Sequence, residues 1–128
     1  MDSKKFVFIL SHTTTNPVEV LGLMKIASNI KAFSDEAEIA IFLINEGVML
    51  AKKGVVDNIS MEFEGKQVNF GEMLEMLMDF DVKFYVCHGF MPGFGITKEN
   101  MIEGFEVKSS SYLSELLLKG YIPLSLSL

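Results

Sequence analysis

The chain holds a single cysteine, two histidines, three prolines and no arginine in 128 residues. With no second thiol, an internal disulfide is excluded, and Cys87 can act only singly: as a nucleophile, as a sulfur carrier, or as half of a bridge to another chain. A lone unpaired thiol also fits a reducing compartment. Neither C-x-x-C nor H-x-x-x-H spacing occurs, so no metal site is expected. Positive charge comes only from lysine, 11 residues against 17 acidic ones, and the net charge of −6 opposes a phosphate-backbone footprint. No nucleic-acid partner is expected. Every apolar run breaks before the roughly 18 residues needed to cross a bilayer, and Lys4-Lys5 followed by Phe6 to Leu10 is too short for a signal peptide. The expectation is a soluble, cytoplasmic protein with no membrane partner.

Repeats, low-complexity tracts and linkers are missing too, so residues 1–128 read as one domain. A domain of this size buries about two-thirds of its unfolded surface without disulfides or metal. What the chain has in excess is phenylalanine, 11 residues, and methionine, nine. Two readings stand side by side: some of these cover a subunit interface, or they fill a bulky, Met-rich core.

Lys5 to Leu10 reads as a buried strand. Asn16, Pro17 and Glu19 form a helix start, with Glu19 placed as a capping-box carboxylate, and Val20, Leu23, Met24, Ala27 and Ile30 recur at helical spacing to about Phe33. Glu38 to Ile44 is a second apolar strand, which makes a right-handed βαβ unit with a parallel pair. A short helix over Val48 to Lys53 and a brief strand near Val55 to Ser60 follow. Met61 to Val68 alternates and turns at Gly65 as a small hairpin, and Asn69 with Glu72 caps a helix to about Phe80. Val82 to Val86 is the strand that delivers Cys87. Beyond it come a short helix from Thr97 to Ile102, a brief strand at Phe105 to Val107, a helix over Tyr112 to Lys119 and an edge strand containing Pro123. The fold class is α/β with a mostly parallel sheet.

In such a sheet the strand carboxyl ends open on one edge, where chemistry gathers. Ser11, His12 and Thr13, then Asn45 and Glu46, then Cys87 and His88 should share that rim, with Ser11, Asn45, Gly89 and Phe90 lining a pocket. Cys87 is the candidate nucleophile, expected within reach of solvent, and His12 or His88 the imidazole that favours its thiolate. The bland alternatives are a buried Cys87 acting as a small hydrophobe and loop histidines facing water. The loop from His88 to Gly95 is neither G-x-x-x-x-G-K-[ST] nor a G-x-G-x-x-G after the first strand, and Phe90, Met91, Pro92 and Phe94 do not suit a phosphate cradle. It suits protein docking or the shielding of a reactive sulfur, and equally an ordinary tight connection packed on its own phenylalanines. No nucleophile elbow is present, and no cofactor is called for.

Four pieces, in order, resemble the DsrE/DsrF/DsrH-like family of sulfur-relay proteins. They are Phe6-Val7-Phe8-Ile9-Leu10-Ser11-His12, the stretch from Ile41 to Gly54, Phe84-Tyr85-Val86-Cys87, and Gly95-Ile96-Thr97 leading into Met101-Ile102-Glu103-Gly104. The resemblance implies a three-layer α/β sandwich that assembles as a homotrimer or homohexamer. It also implies that Cys87 carries a persulfide sulfur between a donor protein and an acceptor protein. The apolar Phe90 to Phe94 segment departs from the polar surroundings expected in a dedicated relay subunit. The competing function is a non-catalytic oligomeric binding module with a structural cysteine.

Overall fold

The computed structural model describes residues 4–126. Five parallel strands form the central sheet: β1 (Lys5–Leu10), β2 (Glu38–Leu43), β5 (Lys83–Cys87), β6 (Phe105–Lys108) and β7 (Ile122–Leu124), in the order β6-β5-β2-β1-β7. A separate antiparallel hairpin, β3 (Ser60–Phe63) with β4 (Lys66–Asn69), turns through Glu64 and Gly65 at positive φ. Helices α1 (Pro17–Phe33) and α2 (Phe70–Asp79) cover one face of the sheet, and α3 (Ser110–Leu118) covers the other. The near-continuous apolar strands are those of a sheet buried on both sides.

The period of two within each strand divides the core. Phe8, Leu10, Ile41, Leu43, Phe84 and Val86 point toward α1 and α2 and join the larger cluster. Val7, Ala40, Phe42, Tyr85 and Cys87 point the other way and meet Leu116 of α3. The two faces are unequally covered, by 27 helical residues on one side and nine on the other. Pro123 lies in β7 at the sheet edge, where its missing N–H costs no ladder bond.

Several local expectations are corrected. The segment 97–102 is no helix: Thr97 N–H donates to Asn100 Oδ1 at 2.8 Å and Asn100 N–H to Thr97 Oγ1 at 3.3 Å, closing one turn. The chain on either side of Met101 is held to residues 51–53, with Lys53 N–H donating to Asn100 O at 2.7 Å and Ile102 N–H to Ala51 O at 2.8 Å. The expected strand at 55–60 is a 3-10 turn over Val56–Asn58, held by Asn58 Nδ2–H donating to Gly54 O at 2.6 Å. The expected helix at 48–53 is a 3-10 segment over Asn45–Ala51.

Candidate functional site at the carboxyl edge of the sheet

The carboxyl ends of β1, β2 and β5 do lie side by side, through the register Leu10↔Leu43 and Leu43↔Val86. Strands in a sheet are about 4.8 Å apart, so the first residues after β1 and β5 are roughly 10 Å from each other. What the rim residues do differs from the expectation.

Glu19 forms no capping box, and Asn16 caps α1 only through its backbone, with Glu19 N–H donating to Asn16 O at 3.1 Å. The Glu19 carboxylate is buried and turned to the β1 end instead. Its Oε1 accepts from Ser11 N–H at 3.1 Å and from Ser11 Oγ–H at 3.3 Å, while His12 Nδ1–H donates to Oε2 at 2.7 Å. Because a carboxylate only accepts, this pair fixes the His12 tautomer with its proton on Nδ1. A buried acid is tolerable where both of its oxygens accept hydrogen bonds, and here the loop supplies three donors, two to Oε1 and one to Oε2.

Glu46 does the same for the next three residues. Thr13 N–H donates to its carboxylate, as do Thr14 N–H at 3.0 Å, Thr14 Oγ1–H at 2.8 Å and Thr15 Oγ1–H at 2.9 Å. Partial burial alone raises the Glu46 pKa, but these hydrogen bonds outweigh it and leave the group below its ordinary value of 4.5. Asn45, at φ 51°, takes the left-handed turn that swings Glu46 under the threonines. Since the folded-state pKa is lowered, the stabilisation is complete above the unfolded value and lost as pH falls through the folded one. Glu46→Gln should therefore cost about 1 kcal/mol at pH 7, after allowing for solvent screening. The difference from wild type should close in acid, as read by urea unfolding at pH 7 and pH 3.

Cys87 is the last residue of β5, extended at φ −70° and ψ 114°, with its side chain on the α3 face. It is 3% exposed, so the expectation of an open thiol is overturned. The reason is parity: Tyr85 and Cys87 share a face, and that face is roofed by Leu116 with Tyr112, Leu113 and Tyr121 around it. His12 pairs with Glu19 of α1, on the opposite side of the sheet from the thiol, so it is not the imidazole that attends Cys87. His88 and Gly89 are exposed in the 3-10 turn His88–Phe90, and Phe90 is exposed as well. Asn45 is exposed, and Ser11 is held by Glu19. Three cavities open near Lys31, Asp35 and Tyr85 or between α1 and α2, and none of them is lined by Ser11, Asn45, Gly89 or Phe90.

The residue beside Cys87 that sequence reasoning passed over is Lys108, its register partner on β6. The segment around it, Phe105-Glu106-Val107, is visible as a strand, but its neighbour is not encoded locally. Among the described residues no group of three or more metal-ligating side chains converges, and no helix is long and apolar enough to cross a membrane.

The fold has close structural counterparts. MTH1491, a protein of unknown function from Methanobacterium thermoautotrophicum, superposes with a TM-score of 0.77 at 16% identity, covering 95% of this chain and 98% of its own. The ychN protein of E. coli superposes with a TM-score of 0.74 at 18% identity, covering 94% and 99%. Among curated proteins no sequence match is found. The sequence itself matches the DsrE/DsrF-like family over residues 4–125, nearly end to end, and to that family the chain belongs.

Proposed function

We propose that this protein is a sulfur carrier that holds a persulfide on Cys87 and passes the outer sulfur to a partner thiol. The observation that carries the reading is the position of the chain's one thiol: the last residue of an inner strand, at the carboxyl edge of the sheet of a DsrE/DsrF-like protein. In loading, the Cys87 thiolate attacks the outer sulfur of a donor persulfide. A new S–S bond forms at Cys87, the donor's S–S bond breaks, and the donor departs as its thiolate. Discharge is the same exchange in the other direction, with an acceptor thiolate attacking the outer sulfur and Cys87 leaving. No net oxidation occurs in either step. Without a second cysteine the persulfide has no internal disulfide to collapse into, and the apolar cover over Cys87 keeps water from it.

The burial of Cys87 favours a second reading, a non-catalytic oligomeric binding module in which the thiol is a small core hydrophobe. Self-assembly as a trimer or hexamer in the cytoplasm belongs to both readings. Its support is two large apolar side chains left open to solvent at separate helix ends, Phe33 at 91% and Leu118 at 88% exposed. Incubation with a small-molecule persulfide donor separates the two. The carrier gains one sulfur atom per chain by intact mass, loses it to dithiothreitol, and gains none as Cys87→Ser. If wild type and Cys87→Ser take up sulfur alike, or neither does, the binding module is the better account.

A further inference from the structure

In a parallel pair, residues in register stand side by side on one face, so Lys108 shares the α3 side of the sheet with Cys87. Its ammonium lies 4.5 Å from the centroid of the Tyr112 ring and 3.8 Å from the Glu106 carboxylate. Tyr112, near the start of α3, also packs edge-on against Tyr85 with 4.9 Å between ring centroids, its hydroxyl 3.4 Å from that of Tyr85. One ring thus touches both the strand that carries the thiol, through Tyr85, and the ammonium of the thiol's register partner, Lys108. The roof is light. α3 is nine residues long, Ser109 makes no side-chain cap bond, and Leu116 is the helix's only buried residue. An element with so few buried contacts opens at a lower free energy than the core strands.

We propose that α3 is a lid over Cys87 and that Lys108 is the charge partner of the uncovered thiolate, parked on Tyr112 while the lid is down. The proposal deepens the sulfur-carrier reading and rests on it for its purpose, whereas its geometry and its test do not. When α3 lifts, Tyr112 leaves with it, water reaches the sulfur, and the ammonium loses its ring and stands next to the thiol. The thiol proton passes to water and Lys108 stays protonated, so no electron moves. Among the other groups on this side, Glu106 from β6 opposes an anion and tethers Lys108, and Tyr85 of β5 and Tyr121 ahead of β7 are neutral phenols at working pH. Tyr112 belongs to α3 and departs with it. β1 and β2 contribute Val7, Ala40 and Phe42, which carry no charge, and His88 follows Cys87 in the exposed turn.

Alkylation of the native protein by iodoacetamide, followed from pH 6 to pH 10.5, reads the two parts separately. The rate plateau at high pH reports lid opening, and the pH midpoint reports the charge beside the thiol. Tyr112→Ala should raise the plateau about tenfold, with faster amide exchange in α3 and none in β1, β2 or β5. Tyr112→Leu serves as a second variant if the alanine protein does not fold. Lys108→Met should move the midpoint up by about one pH unit, a roughly tenfold slower reaction at pH 7 relative to the plateau, and Lys108→Arg should restore it. An unmoved midpoint in Lys108→Met overturns the charge-partner role. A plateau unchanged in the Tyr112 variants, or labelling that follows global unfolding in urea, overturns the lid. If lid and midpoint behave as expected while wild type takes up no sulfur from a persulfide donor, the carrier reading fails alone.

Discussion

Gly47→Ala should lower the stability of the protein by about 3 kcal/mol or more, a fall of roughly 10 °C in the thermal midpoint. A Cβ at this position would stand 2.2 Å from the Leu10 carbonyl oxygen, 2.8 Å from its carbon and 3.2 Å from Ser11 Cα. All three are backbone atoms of the last residue of β1 and the one after it, and Leu10 is held in register with Leu43 of β2. No side chain can swing aside to make room. The clash therefore forces apart the end of β1 and the 3-10 segment Asn45–Ala51, and with them the bonds from Thr13, Thr14 and Thr15 to Glu46 and from Thr13 Oγ1–H to Gly47 O at 3.1 Å. Gly89→Ala is the matched control, because a Cβ there meets nothing within 4 Å. Its midpoint should stay within about 2 °C of wild type. Equal melting of the two variants would show that the contact at Leu10 yields, and that Gly47 is not what seats the loop.

The order of strands and helices was legible because each carries its own signal. β1 and β2 are unbroken apolar runs, α1 opens on Pro17, and α2 opens on Asn69, whose Oδ1 accepts from Glu72 N–H at 3.0 Å as the capping pattern foretold. The hairpin at Glu64-Gly65 was readable for the same reason. What failed depended on a partner distant in sequence. Glu19 has the spacing of a capping box, yet β1 ends against the first turn of α1 and offers the carboxylate three better donors, so a local pattern lost to a tertiary one. Thr97 has the look of a helix cap, but the following backbone pairs with residues 51–53. The alternation Phe84, Tyr85, Val86, Cys87 told that Cys87 points away from Val86. It could not tell that the chain returns after β6 to lay α3 over that face. The same gap hid Lys108: the predicted rim offers only His12 and His88 as cations near the thiol, whereas the sheet register sets a lysine 21 positions away as the neighbour of Cys87.

Glu19→Ala should cost about 3 kcal/mol, because the Glu19 side chain is only 1% exposed and its removal strands several polar groups at once. The Ser11 N–H loses its acceptor at 3.1 Å, the Ser11 hydroxyl loses one at 3.3 Å, and His12 Nδ1–H loses one at 2.7 Å. A side chain's worth of space also opens beneath the β1 end. Glu19→Gln divides these losses. Its carbonyl oxygen can still accept from Ser11, so the loss of stability should be nearer 1 kcal/mol. Its amide nitrogen, however, would then face His12 and can only donate. The imidazole can keep that contact only by moving its proton to Nε2, which leaves Nδ1 as the acceptor. Nitrogen-15 spectra of the imidazoles should therefore show His12 as the Nδ1–H tautomer in wild type and as the Nε2–H tautomer in Glu19→Gln, with His88 unchanged as the internal reference. A wild-type His12 protonated on Nε2 when neutral would break the assignment of the buried pair. A tautomer that does not change in Glu19→Gln would show that the ring is oriented by something other than this carboxylate. Because His12 sits on the α1 side of the sheet and Cys87 on the α3 side, neither variant should alter the pH midpoint of Cys87 alkylation. That separation places the histidine's role in holding the β1 loop in shape.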